Sequence, residues 1–267
     1  MNKQEQRFIE TVWKHYRQHG RHNLPWKKTA DPYKILVSEI MLQQTQVERV
    51  LPKYKSFLKK WGTARQLAAA PLSEVLKEWQ GLGYNRRARM LHECAKKISV
   101  RSGKWPRTHK ELVMLPGVGP YTAGAVMAFA FNKAVPIIET NIRTAYLHHF
   151  FMNRTDVTEK QILKKIEKTL DTANPREWYW ALMDYGSFLK RQHGNNAKQA
   201  RSYSKQSKFK GSDREVRGAI IRELATGNKS QRTLLKLPFD EQKIEAQLKK
   251  LQEEGMVVKQ KNYRLPD

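Results

Sequence analysis

Apolar residues recur every three to four positions through most of the chain, and two-residue alternation is almost absent before residue 255. That period admits helices and very little sheet, so it predicts an all-α fold class. Residues 4–18 place Phe8, Ile9, Val12 and Trp13 on one helical face. Further helices are read at 33–44, 46–61, 72–79, 84–101, 109–114, 120–131, 140–151, 158–170 and 176–190. Asn23-Leu-Pro-Trp-Lys27 and Ala30-Asp-Pro32 interrupt the pattern, with Pro32 near a first helical position, where its missing N–H costs nothing. With 39% hydrophobic residues in 267, the chain has enough apolar surface for a packed core and is not a disordered tail.

The texture changes after Ser187. Residues 187–212 hold seven basic residues (Lys190, Arg191, Lys198, Arg201, Lys205, Lys208 and Lys210) and no acid. This stretch reads as a solvated linker or a basic surface loop. Ser212-Asp213 then starts a helix over 214–226, followed by helices at 231–235 and 240–254 and by two short strands within 256–265. Three helices and a terminal hairpin resemble a winged-helix module; a helical cap on the main domain is the alternative. The expected organisation is a main domain over 1–190, a basic linker over 191–212 and a small winged-helix-like domain over 213–267.

Charge narrows the partner. The chain carries 51 Lys+Arg against 25 Asp+Glu, a formal net charge of +26, with a pI near 10.1. A surplus of this size points to a polyanion, most often nucleic acid. A single cysteine, Cys94, excludes an internal disulfide framework and an all-cysteine metal site within one chain. The charged start and the absence of a long apolar run predict a protein with no leader and no membrane contact, cytoplasmic and nucleoid-associated if bacterial.

Two segments carry the chemistry. In Leu115-Pro-Gly-Val-Gly-Pro-Tyr-Thr-Ala-Gly124 a helix ends, two glycines make a tight turn, and an apolar helix begins. The free N–H groups of the new helix suit a phosphate, which places Gly117, Val118 and Gly119 against a DNA backbone. Ser38-Glu39 lies between Val37 and Ile40 in an otherwise apolar helix. A carboxyl group in apolar surroundings has its pKa raised, which suits a general acid; an interior Glu satisfied by its neighbours is the plainer alternative.

Leu24-Pro-Trp26, Ser38-Glu-Ile-Met-Leu-Gln-Gln-Thr-Gln46, Gly81-Leu-Gly-Tyr84 with Arg86-Arg-Ala-Arg89, and the 115–124 hairpin together resemble the A/G-specific adenine DNA glycosylases of the helix-hairpin-helix superfamily. Pro136-Ile-Ile-Glu-Thr-Asn-Ile-Arg143 and Ala181-Leu-Met-Asp-Tyr-Gly186 continue the resemblance in order, over roughly residues 5–190. It implies a two-lobed all-α domain with its active site in the cleft between lobes, and a monofunctional glycosylase removing adenine opposite 8-oxoguanine or guanine. Glu39 matches the acid that protonates the departing purine, and Glu139 the second carboxylate that stabilises the sugar cation. Tyr121 stands where strand-cleaving relatives carry a Schiff-base Lys. Gln43, Gln44 and Tyr84 match residues that wedge into the duplex, with Leu24, Trp26 and Trp180 near the base pocket. Arg86, Arg87, Arg89, Lys190 and Arg191 are expected on the DNA backbone.

Departures from the family pattern bear on these expectations. Glu139 replaces the usual Asp and is one methylene longer; capping a helix is its alternative role. Trp180 stands where the family often has Gln or Glu, which weakens the case for adenine. Four cysteines usually follow Met-Asp-x-Gly, the first where Lys190 stands; none is present, so no iron–sulfur cluster and no other cofactor is expected. The 55 residues after Ser212 are too few for the Nudix-like domain of longer relatives. A winged helix there would grip flanking duplex through Lys243, Lys249, Lys250, Lys259 and Lys261. The expected partner is double-stranded DNA with a mispair or an oxidised guanine, bound by a monomer. The competing readings are a glycosylase taking thymine or uracil opposite guanine, and a non-catalytic mismatch-binding protein.

Overall fold

The computed structural model describes residues 1–101, 103–152, 154–194, 199–201 and 208–267. Lys198 and Lys205 of the basic run lie outside the described residues. The chain divides into two compact units, one of Met1–Leu36, Pro106–Met114 and Val118–Lys205, the other of Val37–Trp105, Leu115–Gly117 and Gln206–Asp267. Helices dominate both, and the only paired strands among the described residues are the two at the C-terminus. No helix among the described residues is long and apolar enough to cross a membrane.

In the first unit, α1 (Lys3–His19) opens with a capping box in which Asn2 and Glu5 exchange side chain-to-backbone hydrogen bonds of 2.9 and 3.0 Å. The other Glu5 oxygen accepts from Lys165 Nζ at 2.9 Å on α10 (Glu159–Thr169), joining two helices far apart in sequence. Phe8 and Val12 are buried as the sequence predicts, whereas Ile9 and Trp13 are half-buried at the edge of the same face. Phe8 meets Tyr146 of α9 (Thr140–Phe150) at 4.9 Å and Trp178 of α11 (Pro175–His193) at 6.1 Å between ring centroids. The close packing of α11 on α9 depends on Gly186: a Cβ there would lie 1.9 Å from the Asn141 carbonyl oxygen.

Five histidines, 15, 19, 148, 149 and 193, gather around Tyr185 and Phe188 in this unit. His149 Nε2 lies 2.8 Å from the Tyr185 hydroxyl. Burial, aided by the neighbouring charge of His148, pushes His149 down from 6.5 to about 4. Burial also lowers His15 and His148. A histidine held neutral when folded binds its proton more readily when unfolded, so stability is full above the unfolded value and declines as pH falls from about 6.5 toward 4. The urea midpoint is expected to drop over that window, and His149→Gln to flatten the drop; a midpoint constant from pH 7 to 4.5 would contradict the coupling.

The second unit is built on α3 (Val47–Lys60), α4 (Ala64–Ala69), α5 (Leu72–Glu78) and α6 (Arg86–Val100). α3 buries Val50, Tyr54 and Phe57, and Phe57 meets the fully buried Trp79 edge-on. His92 of α6 contacts the Ala70 carbonyl at 2.9 Å, fixing α6 under the end of α4. The chain after residue 206 belongs to this unit. It forms α12 (Asp213–Ala225), α13 (Gln231–Leu234), α14 (Glu241–Glu253) and the antiparallel pair β1 (Val258–Lys259) and β2 (Tyr263–Arg264), the elements expected there. The Pro266 carbonyl accepts from Ser73 N–H at 2.8 Å, so the C-terminal segment lies against the first turn of α5.

Candidate active site and nucleic-acid interface

Glu39 sits near the C-terminal end of α2 (Pro32–Leu42) and is 7% exposed, between Ser38 at 1% and Ile40 at 2%. The next turns are built around Arg87. Its Nη1 donates to the carbonyls of Ile40, Met41 and Gln43 at 2.7, 3.0 and 2.6 Å, and its Nη2 to Leu82 and Gly83 at 3.0 and 3.1 Å. The last turn of a helix leaves carbonyls without partners, and a guanidinium fork satisfies several at once. Burial pulls Arg87 down from 12.5 to about 10. Arg87, expected at the DNA backbone, is thus turned inward, where it ties the Gln43 and Leu82–Gly83 turns together.

Gln44 and Tyr84, expected as wedge residues, both adopt left-handed backbone conformations, with φ of 55° and 49°. Such angles are costly for residues with a Cβ and gather at sites where the surroundings over-determine the backbone. The guanidinium groups of Arg87 and Arg214 lie 5.5 and 5.3 Å from the Tyr84 ring centroid, and Arg214 Nη1 also donates to its hydroxyl. Arg86 is exposed beside them, and Arg89 faces the turn at Gly255.

The hairpin follows the sequence reading closely. α7 (His109–Val113) ends in Met114, Gly117 takes φ of 74°, and Gly119 is the N-cap of α8 (Pro120–Phe129), with Pro120 in its first turn. A Cβ on Gly117 would lie 2.6 Å from Met90 Cβ, so both conformation and space require glycine there. Val118 is buried at 5%, and Tyr121 is half-buried in the first turn of α8.

Glu139 is the N-cap of α9. Its Oε1 accepts from Ile142 N–H at 2.7 Å and its Oε2 from Asn141 Nδ2 at 3.3 Å. Burial raises this carboxyl; hydrogen bonds from the Asn141 and Ile142 backbone and the charges of Arg143 and Lys190 work the other way. Capping therefore fixes the longer side chain in one position, and the two roles weighed for it are compatible. Gly186, by allowing α11 to touch the Asn141 backbone, sets the position of this cap.

Trp180 is 8% exposed and stacks on Phe129, with centroids 5.8 Å apart and planes 15° apart. Most of the face expected for a base is thus covered by protein. Leu24 is the N-cap of a short 3₁₀ turn, Pro25–Lys28, which buries Trp26 at 6%. That turn delivers Lys27, whose ammonium lies 5.7 Å from the Trp180 ring and bonds Asp184 Oδ2 at 2.8 Å. Arg21 completes the group, its Nε and Nη2 bonding Asp184 Oδ1 at 2.7 and 2.6 Å. Arg21, Lys27 and Asp184 carried no assignment from sequence. The available signal was an Asp in the apolar run 178–185, which a cation must balance. Lys190 and Arg191 are exposed on the last turns of α11. Lys243 and Lys250 lie near Asp213, at 3.7 Å each, and Lys259 lies over Tyr263, so part of the expected basic grip is drawn to the protein's own groups.

A model of HhH-GPD superfamily base excision DNA repair proteins matches residues 37–171. The chain belongs to that family. The matched stretch contains Glu39, Tyr84, the 115–124 hairpin and Glu139. The chain is 36% identical over 187 residues to an adenine DNA glycosylase of Buchnera aphidicola subsp. Baizongia pistaciae, covering 68% of this chain and 52% of that protein. It is 48% identical over 127 residues to the adenine DNA glycosylase of Mycolicibacterium smegmatis, covering 47% of this chain and 43% of that one. It thus spans about half the length of the curated relatives it matches. Among solved structures, a thermostable thymine-DNA glycosylase aligns with a TM-score of 0.62 at 29% identity, covering 70% of this chain and 87% of that one.

Proposed function

We propose that this chain is a monofunctional DNA glycosylase that hydrolyses the N-glycosidic bond of adenine mispaired with 8-oxoguanine or guanine in double-stranded DNA. The observation that carries the reading is Glu39, a carboxyl group 7% exposed on α2, within the run by which the chain resembles adenine enzymes. Glu39 gives its proton to N7 of the flipped adenine, the C1′–N9 bond breaks, and the base leaves with the bonding pair. The carboxylate of Glu139, held at the N-cap of α9, offsets the positive charge on the sugar. Water adds to C1′ and gives its proton to the carboxylate left on Glu39, which restores the acid and leaves an abasic site. Tyr121 offers no amine to C1′, so no Schiff base forms and the strand stays intact. The hairpin glycines with Arg86, Lys190 and Arg191 hold phosphates, which makes binding steeply salt-dependent.

The reading includes no iron–sulfur cluster, because the residues do not fit one. Four thiolates are needed. The one cysteine, Cys94, is 1% exposed within α6, and burial pushes its thiol up to about 12. Among the described residues no group of His, Cys, Asp and Glu is placed to hold a metal ion.

A second reading, release of thymine or uracil opposite guanine, is favoured by the similarity to the thymine-DNA glycosylase and by Trp180. Single-turnover release of adenine, thymine and uracil, each opposite guanine and 8-oxoguanine, separates the two. Adenine is expected to leave fastest, with no borohydride-trapped covalent complex. Glu139→Asp is expected to slow release by about tenfold or more, because retracting a capped carboxylate by about an ångström misplaces it. Faster release of thymine or uracil would transfer the assignment to the second reading.

A further inference from the structure

A two-stranded hairpin is marginal in water on its own, and the one formed by β1 and β2 is anchored on both edges of its second strand. Lys229 closes the edge that β1 leaves open: its N–H donates to the Tyr263 carbonyl at 3.0 Å, and Tyr263 N–H donates to the Lys229 carbonyl at 2.8 Å. Tyr263 and Leu265 are buried, as are Met256 and Val257 at the start of the hairpin. The tip is of the opposite character. Lys259, Gln260, Lys261 and Asn262 are all exposed, each carries N–H donors on its side chain, and none is apolar or acidic.

The charge at this tip is left for a partner. Lys259 is held by neutral groups, its ammonium 5.0 Å from the Tyr263 ring centroid and 3.4 Å from Gln231 Oε1. Gln231 is itself fixed, with its Nε2 donating to Glu245 Oε1 at 2.8 Å. Lys261 forms no ion pair among the described residues, and neither does Arg232, exposed one position beyond Gln231. Two nearby carboxylates are already matched, Glu223 with Lys229 and Asp267 with Arg264, each at 2.9 Å. The alternative face, α14, suits a polyanion less well. Asp240, Glu241 and Glu245 are exposed along its start, and Lys243 and Lys250 are drawn to Asp213. Carboxylates placed there repel phosphates.

We propose that the hairpin tip enters the minor groove of the duplex flanking the excised base, with Arg232 on a neighbouring phosphate; this rests on the duplex substrate proposed above, but not on which base leaves. The chemistry selects the groove. A·T and T·A pairs present only acceptors there, adenine N3 and thymine O2, and a tip rich in donors meets them. A G·C pair adds the guanine N2 amino group, a donor from which a lysine cannot accept. The Gln260 and Asn262 amides can turn an oxygen toward it, which keeps the preference for A·T modest. The minor groove is about 6 Å wide, so the side chains enter while the hairpin backbone stays outside. A protein partner fits less well, because the core of such an interface is apolar and the tip has no apolar side chain. The C-terminal segment thereby grips DNA through its hairpin and the adjoining Arg232, and not through the lysines of α14.

The test measures binding of the full chain to duplexes of one length in which a central tetrahydrofuran abasic analogue faces guanine, so that affinity is read without catalysis. Their flanks are all A·T, all G·C or all inosine·C. Inosine lacks the N2 amino group, so its pair keeps the O6 and N7 of G·C in the major groove but offers only acceptors in the minor groove. Wild-type protein is expected to bind the A·T and inosine·C duplexes about threefold more tightly than the G·C duplex. Lys259→Gln with Lys261→Gln is expected to erase that preference and to reduce the slope of log K against log[salt] by about two, the counterions that two cations displace. Arg232→Gln, off the hairpin, is expected to reduce the slope by about one and keep the flank preference, which guards against misfolding of the double variant. An unchanged slope and preference in the folded double variant overturns the proposal. An inosine·C duplex that behaves like G·C moves the contact to the major groove and also overturns it. A reduced slope in the variants with no flank preference in the wild type leaves phosphate contact alone and overturns the place in the minor groove. Base release from adenine–guanine duplexes is scored separately: no release with the flank preference intact would defeat the glycosylase reading while leaving the groove contact standing.

Discussion

Replacing Glu39 by Gln is expected to cut single-turnover adenine release by about 10²- to 10⁴-fold, the range for loss of a general acid, while duplex affinity stays near wild type. Glutamine keeps the shape of the side chain and its place between Ser38 and Ile40, so packing at this 7% exposed position is preserved. What it lacks is a proton that can pass to N7 of the leaving base. Since the reaction needs that proton only as the glycosidic bond breaks, the loss falls on the chemical step and not on binding. Release at the wild-type rate by the purified variant would remove Glu39 from the mechanism. A parallel loss of duplex binding would mean that its role is structural.

The second large effect is on stability. Asp184→Asn removes the only charge among Arg21, Lys27 and Asp184 that balances the buried ammonium of Lys27, whose side chain is 5% exposed. Breaking a buried pair by removing one partner costs about 3–5 kcal/mol, against a total stability of about 5–15 kcal/mol for a typical domain. A chain of this size should lose on the order of 10 °C in Tm. Substituting both partners, Asp184→Asn with Lys27→Met, is expected to recover most of the loss, because no uncompensated charge is left inside. Failure of the double variant to recover would mean that the network holds geometry beyond its own charge balance. The pH dependence has a definite sign. Burial by itself would raise the Asp184 carboxyl, but the charges of Lys27 and then Arg21, with their hydrogen bonds, outweigh it and hold the group below its ordinary value. This contribution is complete above the unfolded pKa of about 3.9 and disappears as pH falls through the folded value, which makes it a term in acid unfolding.

Features set by local spacing are legible in the residue order alone. The helices at 86–100 and 175–193 follow a 3.6-residue apolar period, whereas that at 120–129 is buried on all sides from Thr122 to Phe129 and is marked instead by its leading proline. The hairpin at 115–119 needs a glycine with positive φ within a few residues of a proline-led helix, which the order of residue types announces directly. α4 escaped because six residues cover less than two turns, too short for a period to show. The 3₁₀ turn at 25–28 reads as a breaker, since its proline and short length look the same as a loop from sequence.

Residue order within a few turns was enough for the helical class, the hairpin and the apolar setting of Glu39, and motifs in order from Leu24 to Gly186 carried the family resemblance. Only the tertiary structure decided where charged side chains point. Arg87 turns to the carbonyls at the end of α2, Lys27 reaches an aspartate 157 residues away, and Arg214 reaches Tyr84 across 130 residues. A helical period states which face of a helix is apolar, but not which helix will lie against it. The cost of leaving a buried charge unpaired selects the partner once packing has brought the two segments together.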